Sequence, residues 1–173
     1  MAEWLGAANP RISFRMGKKL FIGLGVLIVL LVIVVLAMPK GSSFENLGNY
    51  EGDIKIYKEG SCGCCGVYTG YFQSKGNSNV ESVNLEDTAG IKTQYGVPSQ
   101  LESCHTTVIG NYFVEGHIPL EAVERLLQEQ PDIKGIAMPG MPSGSPGMPG
   151  GKNGDFVIYA VNDDGSYEEW MRT

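Results

Sequence analysis

The sequence lacks a Gly-rich phosphate loop and any defensible Ser-His-Asp constellation, so phosphate-cradling and triad chemistries are set aside. It has no basic surface interleaved with aromatics, which removes nucleic acid as a partner. No repeat is long enough for a solenoid. Histidine occurs only twice and cysteine four times in 173 residues. All six of these scarce side chains fall between residues 62 and 117.

Charge is missing from Leu20 to Met38, nineteen residues with no proline or amide either. At about 1.5 Å of rise per residue this run spans roughly the 30 Å hydrocarbon core, so it reads as one transmembrane helix. A removed signal peptide is the alternative, but its apolar stretch is usually about 7–15 residues, and Leu36-Ala37-Met38-Pro39 is a poor cleavage site. Arg11, Arg15, Lys18 and Lys19 precede the run and only Lys40 follows it closely, which places the N-terminus in the cytoplasm. The expected organisation is a basic cytoplasmic segment over 1–19, an anchor over 20–38, a linker over 39–52 and an extracytoplasmic domain over 53–173. Residues 39–173 carry nine Lys or Arg against eighteen Asp or Glu, a formal charge of −9. Such a surface repels nucleic acid and anionic headgroups and suits small cations, although acidity also simply keeps a small domain soluble.

Ile54, Ile56 and Tyr57 among charged neighbours predict a strand, followed by the cysteine cluster and a helix ending at Gly76. Residues 79–85 alternate as a strand, and a short helix follows over 87–95. Thr106 to Ile109 and Tyr112 to Val114 flank Gly110-Asn111 as a hairpin. Ile118-Pro119 opens a helix with Leu120, Val123, Leu126 and Leu127 on one face and Pro131 beyond its end. Residues 135–154 are too rich in Gly and Pro for helix or ladder. A final strand over 156–161 turns at Asp163-Asp164-Gly165. This order matches an α/β domain of thioredoxin-like type, with the cysteines where the first strand meets its helix.

Cys62 and Cys65 form a Cys-x-x-Cys pair with Cys64 between them, so three sulfurs converge within one turn at a helix N-terminus. That end of a helix favours the thiolate, the form that binds metal or attacks a disulfide. Outside the cytoplasm a structural disulfide framework is the plain alternative, and four cysteines permit three pairings. Cys64 and Cys65 are adjacent, so a full framework would need Cys104 as a distant partner. Soft thiolates select copper(I), while a closed tetrahedral set would also satisfy zinc, whose sites commonly use two separate knuckles. The second knuckle is missing here. His105 and His117 lie near Cys104, and imidazole beside thiolate is a competent copper site. Cys104 and His105 can share one ion only if they sit in a turn, because neighbours on a strand face opposite ways. Met138, Met141 and Met148 offer thioethers from the Gly/Pro-rich loop, though methionine is also ordinary packing material.

Cys62-Gly63-Cys64-Cys65-Gly66, Gly96-Val97-Pro98 with Leu101 and Ser103-Cys104-His105-Thr106, Val114 through Pro119, and Met138-Pro139-Gly140-Met141-Pro142 with Gly144 through Met148 resemble the CopG-like metal-binding family of copper-resistance proteins. The resemblance runs from about residue 53 to the C-terminus. It implies a thioredoxin-like fold outside the cytoplasmic membrane and a copper(I) cluster held by Cys62, Cys64, Cys65 and Cys104. It further implies copper handling or detoxification, with redox activity toward copper. Tyr68 departs from the family's common tryptophan, and the long anchor departs from its ordinary signal peptide. Three functions follow as expectations: a copper(I)-binding protein working beside other copper-handling proteins, an oxidoreductase using Cys62 and Cys65, and, more weakly, a structural zinc module.

Overall fold

A computed structural model describes residues 24, 25, 27–33 and 44–173. Residues 24, 25 and 27–33 are helical, and among the described residues no helix is long and apolar enough to cross a membrane. About half of the expected span over 20–38 lies outside the described residues, as do the whole segment 1–19 and the first residues of the linker. The second compact unit runs from Gly41 to Thr173.

Part of the expected linker belongs to the fold. Phe44, Leu47 and Tyr50 supply apolar anchors within an otherwise polar stretch, and Leu47 is fully buried. A short helix, α1 (Glu45–Gly48), is tied down by Glu124, whose carboxylate accepts the N–H groups of Asn46 at 2.9 Å and Leu47 at 2.8 Å. These are unpartnered first-turn donors, and a carboxylate at that end of a helix is doubly favourable.

Strand β1 (Ile54–Glu59) leads through the cysteine turn into α2 (Gly63–Tyr71), which continues as a wider π turn to Gly76. β2 (Glu81–Leu85) returns parallel to β1. α3 (Ala89–Tyr95) ends at Gly96, whose φ of 69° is the left-handed cap that glycine adopts most cheaply. The expected hairpin is present as β3 (His105–Ile109) and β4 (Tyr112–Glu115), antiparallel to each other, with β3 also antiparallel to β1. α4 (Leu120–Glu129) then buries Leu120, Ala122, Val123, Leu126 and Leu127. Each fully buried leucine there contributes about 1.5–3 kcal/mol.

The Gly/Pro-rich region departs from expectation at its start. Gly135–Ala137 forms β5, pairing parallel with β4 and antiparallel with β6 (Val157–Val161). Gly135 is required, because a Cβ there would collide with the Phe113 carbonyl. A strand of three buried residues leaves no periodicity to detect. β7 (Tyr167–Arg172), after the Asp163-Asp164-Gly165 turn, is a further strand beyond those the sequence predicts. The outcome is a mixed α/β domain with one seven-stranded sheet in the order β2-β1-β3-β4-β5-β6-β7.

Both faces of the sheet are covered. Val114 packs with Ile54, Ile56, Phe72 and the α4 leucines, whereas its neighbour Phe113 packs with Val97, Leu101 and Val161. Successive side chains on a strand alternate faces, so α2 and α4 lie on one side and the segment from Tyr95 to Leu101 on the other.

Candidate metal centre

Cys62 is the N-cap of α2, its sulfur accepting the Cys65 N–H at 3.4 Å. It is joined to Cys65 by a disulfide, while Cys64 and Cys104 are free thiols. The pairing uses the Cys-x-x-Cys couple and leaves Cys104 out, so a framework linking distant segments is absent among the described residues. Cys64 Sγ lies 3.5 Å from Cys62 Sγ.

Cys104 arrives from the other side, in a bend just before β3. The bend meets the condition the sequence set: Cys104 Sγ stands 3.5 Å from His105 Nδ1 and 3.0 Å from His117 Nε2. Two overlapping donor sets result, Cys62-Cys64-Cys65-Cys104 and Cys65-Cys104-His105-His117, with the ligand atoms of each within 4.8 Å of one another. All four cysteines and both histidines are therefore brought together.

The electrostatics favour neutral imidazoles and a cation beside the sulfurs. Burial is the main cause that lowers His105 well below the usual imidazole range, followed by its neighbours His117, Lys92 and Lys58. Burial likewise lowers His117, opposed by its bond to the Pro146 carbonyl. That carbonyl only accepts, so at 2.7 Å the proton sits on His117 Nδ1 and the Nε2 lone pair faces Cys104. His105 Nε2 is buried with no hydrogen-bond partner among the described residues. Burial, and then repulsion from Cys64, pushes the Cys104 thiol up to about 11. In the reduced protein, thiolates gathered at this half-buried site would repel each other, and a bound cation would remove that cost.

Tyr68 forms the floor. It is fully buried, its hydroxyl donates to the Ile118 carbonyl at 2.9 Å, and its ring centroid is 4.5 Å from that of His105 and 5.5 Å from that of His117. The Gly/Pro-rich loop forms a wall: Gly147, at φ 84°, lies where a Cβ would stand 2.8 Å from Tyr68 N and 2.9 Å from Cys64 O. The three loop methionines part company. Met138 is buried in the hydrophobic core, Met141 is 52% exposed and Met148 is half-buried.

Sequence reasoning missed the groups behind the ligands, above all Lys92 and Glu115. Glu115 is fully buried, yet it stands between Val114 and Gly116 on an apolar strand, and that context was the available signal.

Comparisons with known proteins agree with this geometry. A family described as "Protein of unknown function, DUF411" matches residues 101–148, the stretch holding Cys104, both histidines and the Gly/Pro-rich loop as far as Met148. Two solved structures of a copper resistance protein, copG, in Form 1 and Form 2, are each 33% identical with a TM-score of 0.64. They cover 70% of this chain, which in turn covers 96% and 97% of theirs. No curated protein sequence matches.

Proposed function

The chain belongs to the CopG copper-resistance protein family, and from that premise we propose that it binds copper(I) in copper handling or resistance. Cys62, Cys64, Cys65 and Cys104 hold the metal in the reduced protein, and His105 and His117 complete the site or pass metal through it. The observation that carries this reading is the convergence of four sulfurs within 4.8 Å of one another, next to a second set containing both histidines. Soft thiolates in that number suit copper(I), and neighbouring sulfurs can bridge more than one ion. Exposed Met141 fits transient capture at the loop better than core-buried Met138 does.

The order β-α-β, then α, then β-β-α, with strands in the order β2-β1-β3-β4, supports a thioredoxin-like core to which β5, β6 and β7 are appended. The uncharged run from Leu20 to Met38 supports a membrane anchor with the N-terminus cytoplasmic and the copper domain outside. Protease accessibility of a C-terminal tag on intact spheroplasts tests that orientation.

Anaerobic titration of the reduced full-length chain with copper(I) is expected to give tight binding of more than one equivalent. Changing Cys62, Cys64 and Cys65 to serine should collapse it, and unchanged binding overturns the reading. Zinc added in competition should fail to displace copper; if it succeeds, a zinc module is favoured.

One observation favours a second activity, thiol–disulfide or copper oxidoreduction. The Cys62–Cys65 disulfide sits at the start of α2, with Cys62 at the N-cap. Once an external thiol has reduced that bond, the Cys62 thiolate attacks a substrate disulfide and Cys65 resolves the mixed disulfide, so the dithiol passes two electrons and two protons to the substrate and the external thiol reduces it again for the next turnover. Catalytic disulfide reduction by metal-free protein supports it, and inertness removes it.

A further inference from the structure

Glu115 and Lys92 form a fully desolvated ion pair, their side chains 0% and 5% exposed. Replacing such a pair by apolar residues of similar volume is often neutral or stabilising, so stability alone is a weak reason for it. What an apolar pair could not do is accept further hydrogen bonds. Glu115 Oε1, besides taking Lys92 Nζ, accepts the Ser103 N–H at 2.6 Å, and Oε2 accepts the Thr106 hydroxyl at 2.6 Å. Ser103 and Thr106 bracket Cys104 and His105.

The same short segment is held from other directions. The Ser103 hydroxyl donates to the Gly140 carbonyl, and the Gly116 N–H donates to the His105 carbonyl at 2.9 Å. Gly116 has no room for a Cβ, which would lie 2.7 Å from both Ser103 Oγ and the Met138 carbonyl. Cys104 lies in a bend with no sheet ladder of its own to hold it, so its sulfur depends on its neighbours for position.

We propose that Glu115, itself held by Lys92, is a positioning residue that grips the Ser103 N–H and Thr106 hydroxyl and thereby sets Cys104 Sγ against His117 Nε2. Glu115 touches no ligand atom and acts through the backbone on either side of Cys104. This role rests on the copper site proposed above.

Two double variants of the full-length chain separate positioning from packing. Lys92→Met/Glu115→Gln removes both charges but keeps a carbonyl for the Ser103 N–H and an amide for Thr106. Lys92→Met/Glu115→Leu keeps volume and removes the acceptor. The leucine variant should bind copper(I) about tenfold or more weakly than the glutamine variant, the usual scale for losing a group that orients a ligand. In a Cys104→Ser background the difference should vanish, because the effect travels through that sulfur. Equal affinities, or a difference that persists without Cys104, overturn the proposal.

If the wild type binds no copper at all, the metal reading fails separately and thiol chemistry still decides this one. With Cys64→Ser and the Cys62–Cys65 disulfide intact, Cys104 is the sole free thiol. An aromatic disulfide reagent should then label the leucine variant faster than the glutamine variant, and equal rates refute positioning. Should the leucine variant not fold, amide exchange in the wild type substitutes. A Ser103 N–H as protected as the β3 amides supports the grip, and exchange at the rate of an open loop overturns it.

Discussion

Replacing Gly147 by alanine should push the Gly/Pro-rich loop away from the cysteine helix and weaken the metal centre with it. Two costs combine. The residue has φ 84°, and an L side chain in that region costs about 1–2 kcal/mol. The new Cβ would also stand 2.8 Å from Tyr68 N, 2.9 Å from Cys64 O and 3.1 Å from Tyr68 Cα. These are backbone atoms of α2, which cannot rotate aside as a side-chain tip would, so overpacking adds about 1–3 kcal/mol. Gly154 isolates the first cost, since it has φ 89° and a Cβ there would meet nothing within 4 Å. Thermal unfolding of the reduced, metal-free chain should therefore show Gly154→Ala lowering Tm by roughly 5 °C and Gly147→Ala by roughly 10–15 °C. Copper(I) affinity should fall in Gly147→Ala alone, because the adjacent Pro146 carbonyl holds the His117 Nδ1 proton. Equal shifts in both variants would refute the claim that the loop is seated against Cys64 and Tyr68.

Tyr68→Phe should destabilise by about 1–3 kcal/mol in urea unfolding, since it leaves the buried Ile118 carbonyl without its donor. Burial, reinforced by Tyr71, raises the Tyr68 hydroxyl far above the usual phenol range, so the loss should be equal at pH 6 and pH 9, and a pH-dependent loss contradicts the assignment. Glu124 offers the acid-side counterpart. Burial raises its carboxyl, but the Asn46 and Leu47 N–H groups and the Asn46 amide outweigh that and hold it below the usual range. A depressed folded value stabilises above the unfolded value of about 4.3 and is lost as pH falls through the folded one. The stability gap between wild type and Glu124→Gln should thus narrow as pH drops from 7 towards 3, and a constant gap would show that the charge contributes nothing to docking α1.

Much of the site was legible because its chemistry is local. Cys62, Cys64 and Cys65 sit in one turn, and helix and strand periods flank them on both sides. Cys104, His105 and His117 stood out by scarcity, but nothing in their spacing showed that Cys104 bends out of the strand to face both imidazoles. The groups supporting the ligands were illegible for a different reason. Lys92 looks like a solvent-facing charge on a short helix, and only the fold reveals that it is buried against a carboxylate 23 residues away. β5 hid in the same manner: Gly135, Ile136 and Ala137 are strand because β4 and β6 bracket them, not by propensity. The polar look of residues 44–52 concealed that Leu47 completes the core.

Cys65 and Cys104 meet across 39 residues of sequence, with β2 and α3 both intervening. The full donor set therefore does not exist on a nascent chain, where the three clustered cysteines alone offer a looser, competing trap for soft metal. On the copper reading proposed above, productive loading would follow the docking of β3 on β1, and metal that arrives early would bind the unfolded thiols and oppose folding instead of rewarding it. For this chain, the order of events is itself a safeguard: a finished sheet is the condition for a finished site.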